Sequence, residues 1–129
     1  MNLKENLTGL EHVGIPTADL DKTIAFYESL GFAAILRTNI PNGGKVAFLQ
    51  LGNVVIETYE SADAAGRPGA IDHLALKARD IEAAFASVQA LGYELASDSI
   101  EFLPFWEKGV RFFTFYGPNR EKIEFSQIQ

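Results

Sequence analysis

Apolar and polar positions along this chain alternate in twos, then recur in threes and fours, then alternate again. The whole cycle is written twice. Residues 9–16 alternate as a strand does, with Leu10, His12 and Gly14 on one side and Val13 and Ile15 on the other. Pro16 is expected to end that strand or lie at an edge. Leu20, Ile24, Tyr27 and Leu30 follow at spacings of four, three and three, the apolar stripe of a helix. Thr17 and Asp19 are suited to cap its start, and Gly31 to close its end in the left-handed conformation. Strand patterns return at 32–37, 46–51 and 54–59, with a turn cluster at 39–44 and Gly52-Asn53 as a hairpin signal.

After a small, polar, Gly/Pro-rich stretch at 61–69 the pattern restarts. A strand at 71–77 begins with His73, Asp80 is the cap, and Ile81, Phe85, Val88 and Leu91 form the stripe that Gly92 closes. Strands are expected at 94–96, 110–116 and 122–128, with an aromatic loop at 98–109 and a turn at 117–120. In both copies the Asp stands seven residues after the His and the Gly nineteen after it. Residues 1–7 are polar and expected to fray.

The repeat predicts an α+β fold of two βαβββ modules, residues 8–61 and 70–128, joined by a linker at 62–69. One helix covers one face of each sheet. The bare faces must then meet as paired, cupped mixed sheets around a pocket, within one chain or across a homodimer. Open sheet edges also favour a homodimer.

Charge and composition narrow the partners. A net charge of −6 with no basic stripe argues against nucleic acid. No apolar run approaches the roughly 20 residues needed to cross a bilayer, and the first residues lack the apolar core of a signal peptide. A cytoplasmic location and a small-molecule substrate are the resulting expectations. With no cysteine, thiolate metal sites and cysteine nucleophiles are excluded.

The chain's two histidines, His12 and His73, occupy the same position in the two copies. Each copy ends on a strand with a glutamate in an apolar setting, Glu57 after Val54-Val55-Ile56 and Glu124 between Ile123 and Phe125. Taken singly, a strand His is more often a hydrogen-bonded core residue and such a Glu the outward residue of a half-buried strand. The joint pattern outweighs that reading. Two imidazoles and two carboxylates make a donor set for Zn, Ni, Co, Mn or Fe(II), with room for water or substrate.

These residues carry a resemblance. The opening His12…Asp19-Leu20…Phe26-Tyr27…Leu30-Gly31-Phe32, its repeat His73…Asp80-Ile81…Gly92 and the ending Gly117-Pro118-Asn119…Lys122-Ile123-Glu124 resemble the vicinal oxygen chelate superfamily. That superfamily includes glyoxalase I, methylmalonyl-CoA epimerase, extradiol dioxygenases and the fosfomycin and bleomycin resistance proteins. The resemblance implies metal ligands at His12, Glu57, His73 and Glu124, the set of the bacterial glyoxalase I enzymes. It implies one divalent ion per site (Zn, Ni or Co, otherwise Mn or Fe). The implied activity is lyase chemistry, proton transfer on a 2-oxoaldehyde–thiol hemithioacetal by way of an enediolate, with Glu124 or Glu57 as the base. Similar epimerases carry Gln where Glu57 stands and add a catalytic glutamate in the first sheet, and this chain has no acidic residue between Glu28 and Glu57. The alternatives are an epimerase acting on another substrate and a metal- or small-molecule-binding module without turnover. The glutathione-gripping positions of similar glyoxalases offer here Pro16, Ser61 and the segment 67–69, where Arg67 is the one cation. The thiol is left open for that reason.

Further candidates are the aromatic stretch Phe102, Leu103, Pro104, Phe105 and Trp106, as lid or pocket wall, and the cations Arg37, Lys108, Arg111 and Lys122. Lys122 shares a strand face with Glu124 by alternation. Gln50 is a candidate cavity residue.

Overall fold

The structure, a computed structural model, describes residues 1–29, 31–66, 69–116 and 122–129. Leu30, Arg67 and the turn at 117–120 lie outside them. The elements run α1 (Leu3–Asn6), β1 (Leu7–Thr17), α2 (Leu20–Ser29), β2 (Ala33–Asn39), β3 (Lys45–Leu51) and β4 (Val54–Glu60). The second copy is β5 (His73–Ala78), α3 (Ile81–Leu91), β6 (Glu101–Leu103), β7 (Val110–Tyr116) and β8 (Lys122–Ile128). Each copy is therefore β-α-β-β-β, the expected α+β fold. The chain divides into two compact units, His12–Asp72 and Met1–Glu11 with His73–Gln129.

In the first unit the strands lie in the order β2-β3-β4-β1. Neighbours are antiparallel apart from the parallel pair β1–β4. Leu20 and Ile24 of α2 pack on Ala47 and Leu49 of β3, with Tyr27 and Phe32 at the margin. The second unit orders its strands β5-β8-β7-β6, again with one parallel pair, β5–β8. Ile81, Ala84 and Val88 of α3 pack on Phe113, Phe115 and Phe125. Leu91, the last position of the expected stripe, is 56% exposed, because it falls on the helix's final turn.

The caps follow the repeat. Oδ1 of Asp19 accepts from Lys22 N at 3.1 Å, and Oδ1 of Asp80 accepts from Ala83 N at 3.1 Å. Gly92 closes α3 at φ 77°, and Gly31 follows α2 at φ 103°, a region that L side chains rarely adopt. A second device was not read from sequence. Glu60, three residues after Glu57, accepts the first helical N–H of α2, from Leu20 at 3.2 Å. Gln127, three after Glu124, accepts that of α3, from Ile81 at 2.9 Å. Each helix is thereby fastened to the last strand of its own copy by the orphan donor of its first turn.

Three expectations are corrected. Residues 1–7 are not frayed: 3–6 form α1, and Asn6 is 1% exposed. Its Nδ2 donates to the Asp80 carbonyl at 2.7 Å, its Oδ1 accepts from Asp80 N at 2.7 Å, and its carbonyl accepts from Arg79 N at 2.9 Å. Polarity suggested fraying, whereas the amide is used up on a turn 74 residues away. The segment 94–96 is not a strand but a single bridge, Leu95 to Phe115, flanked by Ala96 N to Thr114 O and Tyr116 N to Glu94 O. The strand that pairs with β7 is instead β6, inside the stretch read as an aromatic loop. Of the two expectations for Pro16, an end or an edge, the end does not hold: β1 continues to Thr17 in register with β4, Pro16 opposite Tyr59.

No helix among the described residues is long and apolar enough to cross a membrane. The Asn6 clasp has a measurable consequence. Asn6→Ala removes the two side-chain bonds to Asp80, while the Asp80 carbonyl keeps Ala84 N and Arg79 N keeps the Asn6 carbonyl, at about 0.5–1.5 kcal/mol per bond lost. The expected result is a lower urea midpoint with an unchanged slope; an unchanged midpoint would show the clasp to be idle.

Candidate functional site

The site residues are positioned by the parallel strand pairs. In the first copy Gly14 lies opposite Glu57, and in the second Ala75 lies opposite Glu124. Each of these small residues stands two positions after its histidine, so His and Glu are diagonal neighbours on one face. Diagonal neighbours are within reach of long and aromatic side chains, and a small residue beside the histidine leaves that path open. Gly14 is buried and Ala75 is 0% exposed, and neither has a side chain large enough to separate the pair.

The side chains do meet within each copy. His12 Nε2 lies 3.3 Å from Glu57 Oε1, and His73 Nε2 lies 3.7 Å from Glu124 Oε1. Both imidazoles are buried, at 3% and 8% exposure, while the carboxylates keep 14% and 13% of their side-chain surface. The ring of His12 also meets that of Phe48, perpendicular to it at a centroid distance of 5.4 Å. Phe48 is opposite Glu57 on β3, so one buried ring supports the pair from the side.

Such spacings suit two donors on one cation. Donors each about 2.1 Å from an ion lie roughly 3.0–3.7 Å apart at angles between octahedral and slightly beyond tetrahedral. Neutral imidazole and carboxylate are also the donor chemistry that borderline divalent ions take.

Other candidates sort by face. Lys122 pairs with His73 across β5–β8, which puts it on the histidine's face as expected. Arg111 is taken by α3, its guanidinium 2.9 Å from Glu82. Arg37 and Lys108 are exposed. Gln50 is exposed and donates to the Gly52 carbonyl at 3.3 Å. In the aromatic stretch Phe102 is exposed, whereas Phe105 is buried and Trp106 holds the positive φ of 66°. That is an uncommon conformation for an aromatic residue.

Comparison with known proteins agrees with this fold. A Bacillus subtilis (strain 168) protein, named uncharacterized protein YwbC, is 32% identical over 126 residues, spanning 92% of this chain and 96% of the relative. Among solved structures, the methylmalonyl-CoA epimerase of Mycobacterium tuberculosis superposes with a TM-score of 0.80 at 23% identity, covering 100% of this chain and 93% of that one. The Mn(II)-bound glyoxalase of Novosphingobium aromaticivorans superposes at 0.68 and 23% identity, covering 95% of this chain and 39% of that one. At these identities the structural likenesses establish the fold. The sequence profile of the Glyoxalase/Bleomycin resistance protein/Dioxygenase superfamily matches residues 9–125, and the chain belongs to that superfamily.

Proposed function

We propose that His12, Glu57, His73 and Glu124 are the four protein ligands of one divalent ion per site, and that the protein is a metal-dependent lyase of the glyoxalase I kind. The observation that carries this reading is the repeated register: Gly14 opposite Glu57 and Ala75 opposite Glu124, each bringing a buried imidazole to a carboxylate. Zn, Ni and Co suit the donor set best, with Mn and Fe next. The Mn(II) carried by one glyoxalase of similar fold supports a divalent ion in this kind of site. Residues 8–61 and 70–128 would each supply one His–Glu pair, either to a site within the chain or to one shared by a homodimer in the cytoplasm.

When bound, the ion would supply positive charge to adjoining substrate oxygens. The chain's own part is proton movement. Glu124 or Glu57 takes the proton from the carbon beside the carbonyl of a 2-oxoaldehyde–thiol hemithioacetal and returns it to the neighbouring carbon. The two carboxylates are suited to this because each is held by its histidine yet keeps some exposure. A thiol other than glutathione is favoured by Pro16 and Ser61, which offer no cation at the usual anion-gripping positions.

A second reading has its own support. The epimerase fold superposes over the whole chain, and the same carboxylates could exchange the proton next to a thioester carbonyl. A binding module without turnover is the third.

Metal-free protein is expected to take up about one equivalent of Zn, Ni or Co per site, with His12→Ala weakening uptake by roughly tenfold or more. Full-strength uptake by that variant would sink the four-ligand centre. With metal bound, methylglyoxal and a panel of thiols should yield thioester, followed by absorbance. Glu124→Gln should slow it by roughly 10²–10⁴-fold. Thiol-independent exchange of solvent deuterium into an acyl-CoA, with no thioester formed, would instead select the epimerase. Ala75→Leu fills the space between His73 and Glu124 and is expected to lower stability by about 1–3 kcal/mol and weaken metal uptake. Unaltered calorimetric titration of that variant would show that the gap has no role.

A further inference from the structure

The connection between β2 and β3 carries a chemistry apart from that of the histidine–glutamate pairs. It reads Asn39-Ile40-Pro41-Asn42-Gly43-Gly44, and of the chain's asparagines Asn42 alone precedes a glycine. The loop is tightly closed. Gly43 N donates to the Ile40 carbonyl at 2.8 Å, and Ile40 N donates to the Gly44 carbonyl at 2.9 Å. Gly43 takes a φ of 93°, in the region that favours glycine. Pro at the first turn position and a left-handed glycine after it make a three-residue hairpin loop. Asn39 opposite Lys45 sets the register at its base.

The loop acts on the Asn42 amide in two opposing ways. Oδ1 of Asn42 accepts from Gly44 N at 3.0 Å. A backbone N–H at that distance stabilises the negative charge that develops on the oxygen when a nucleophile adds to Cγ. The next backbone nitrogen, Gly43 N, is placed by the covalent chain to close a ring on that carbon. Gly43 brings no side chain to hinder it, and a Cβ there would meet nothing within 4 Å. Asn42 and Gly43 are both exposed, so hydroxide and water reach them. The restraint is the bond from Gly43 N to the Ile40 carbonyl, which must open before that nitrogen can lose its proton.

We propose that Asn42 is a site of spontaneous modification in the folded protein, gated by the hydrogen bond between Gly43 and Ile40. Gly43 N gives its proton to hydroxide and bonds to Asn42 Cγ, closing a succinimide ring. The bond from Cγ to Nδ2 breaks, and Nδ2 leaves as ammonia with a proton from water. Water then opens the ring at either carbonyl, leaving aspartate or isoaspartate. No oxidant or reductant takes part. Either product puts a negative charge on the hairpin tip, and isoaspartate lengthens the main chain by one carbon between β2 and β3. Strand β3 carries Phe48, the ring packed against His12. Neither a metal ion nor the reaction proposed above is needed for this step.

The full chain is held at mildly alkaline pH, digested with trypsin and mapped by mass spectrometry, beside the same chain unfolded in urea. Residues 38–45 form one tryptic peptide, which contains both Asn39 and Asn42. Asn39 is the internal reference: the branched Ile40 follows it, and its Nδ2 donates to the Gly43 carbonyl at 3.0 Å. Conversion is expected at Asn42 and not at Asn39, as a pair of aspartate and isoaspartate peptides. The folded rate should be slower than the unfolded rate by roughly two- to tenfold, the effect of one exposed hydrogen bond. Pro41→Ala frees the turn and should speed the folded rate by roughly two- to fivefold. Asn42→Gln should abolish the more acidic species that ion exchange separates from the ageing protein. Intact Asn42 in the folded chain, at a time when the unfolded chain has converted, overturns the proposal. So does the same acidic species forming at the same rate in Asn42→Gln. Equal rates in folded and unfolded chains, or an unchanged rate in Pro41→Ala, overturn the gate.

Discussion

Each copy depends on a single long-range constraint, the parallel pairing of its first strand with its last. Parallel strands cannot be joined by a tight turn, so the intervening chain must cross over, and in each copy a helix and two strands do so. The pairing fixes register, and register decides which side chains become neighbours. Gly14 meets Glu57 and Ala75 meets Glu124, and from that alone His12 and His73 find their carboxylates. A slip of one residue would turn each glutamate to the helix-covered face, where a charge has no solvent and no partner.

The crossover is tied at the same strands. Glu60 and Gln127, each one turn of pleat beyond the site glutamates, receive the first N–H of the helices. The glutamate that meets the histidine and the residue that anchors the helix thus stand three apart on one strand, on opposite faces. The helix packs its stripe against the far side of the sheet, and the phenylalanines of β7 and β8 fill that interface in the second unit. Packing on one face therefore rigidifies the His–Glu pairs on the other.

The relatives named above carry different activities on a common fold, an epimerase and a glyoxalase among them. A shared scaffold fixes where donors can stand and says little about what they act upon. In this chain the His–Glu pairs repeat with the fold, while the residues beside them do not. Pro16 and Lys77 are equivalent by position and opposite in capacity, and so are Tyr59 and Ser126. Such departures from the internal symmetry are where substrate identity is to be sought.

By itself the sequence determined the two copies, their helices and caps, and the pairing of each histidine with a distant glutamate in a common plan. Those features are periodic or local, and the repeat let one copy check the other. Asp80 and Gly92 could be assigned because a cap acts within a few residues of itself. Only the tertiary structure decided what depends on contacts across the chain. Asn6 looked like part of a polar tail until its amide met the turn at Asp80, and Leu91 looked like core until the helix end left the sheet. The second strand of the second copy moved from 94–96 to Glu101–Leu103 because β7 offers its edge to the segment that can lie along it, which propensity does not reveal. The small residues at 14 and 75 read as ordinary strand positions, and their purpose is visible only when the opposite strand is in place.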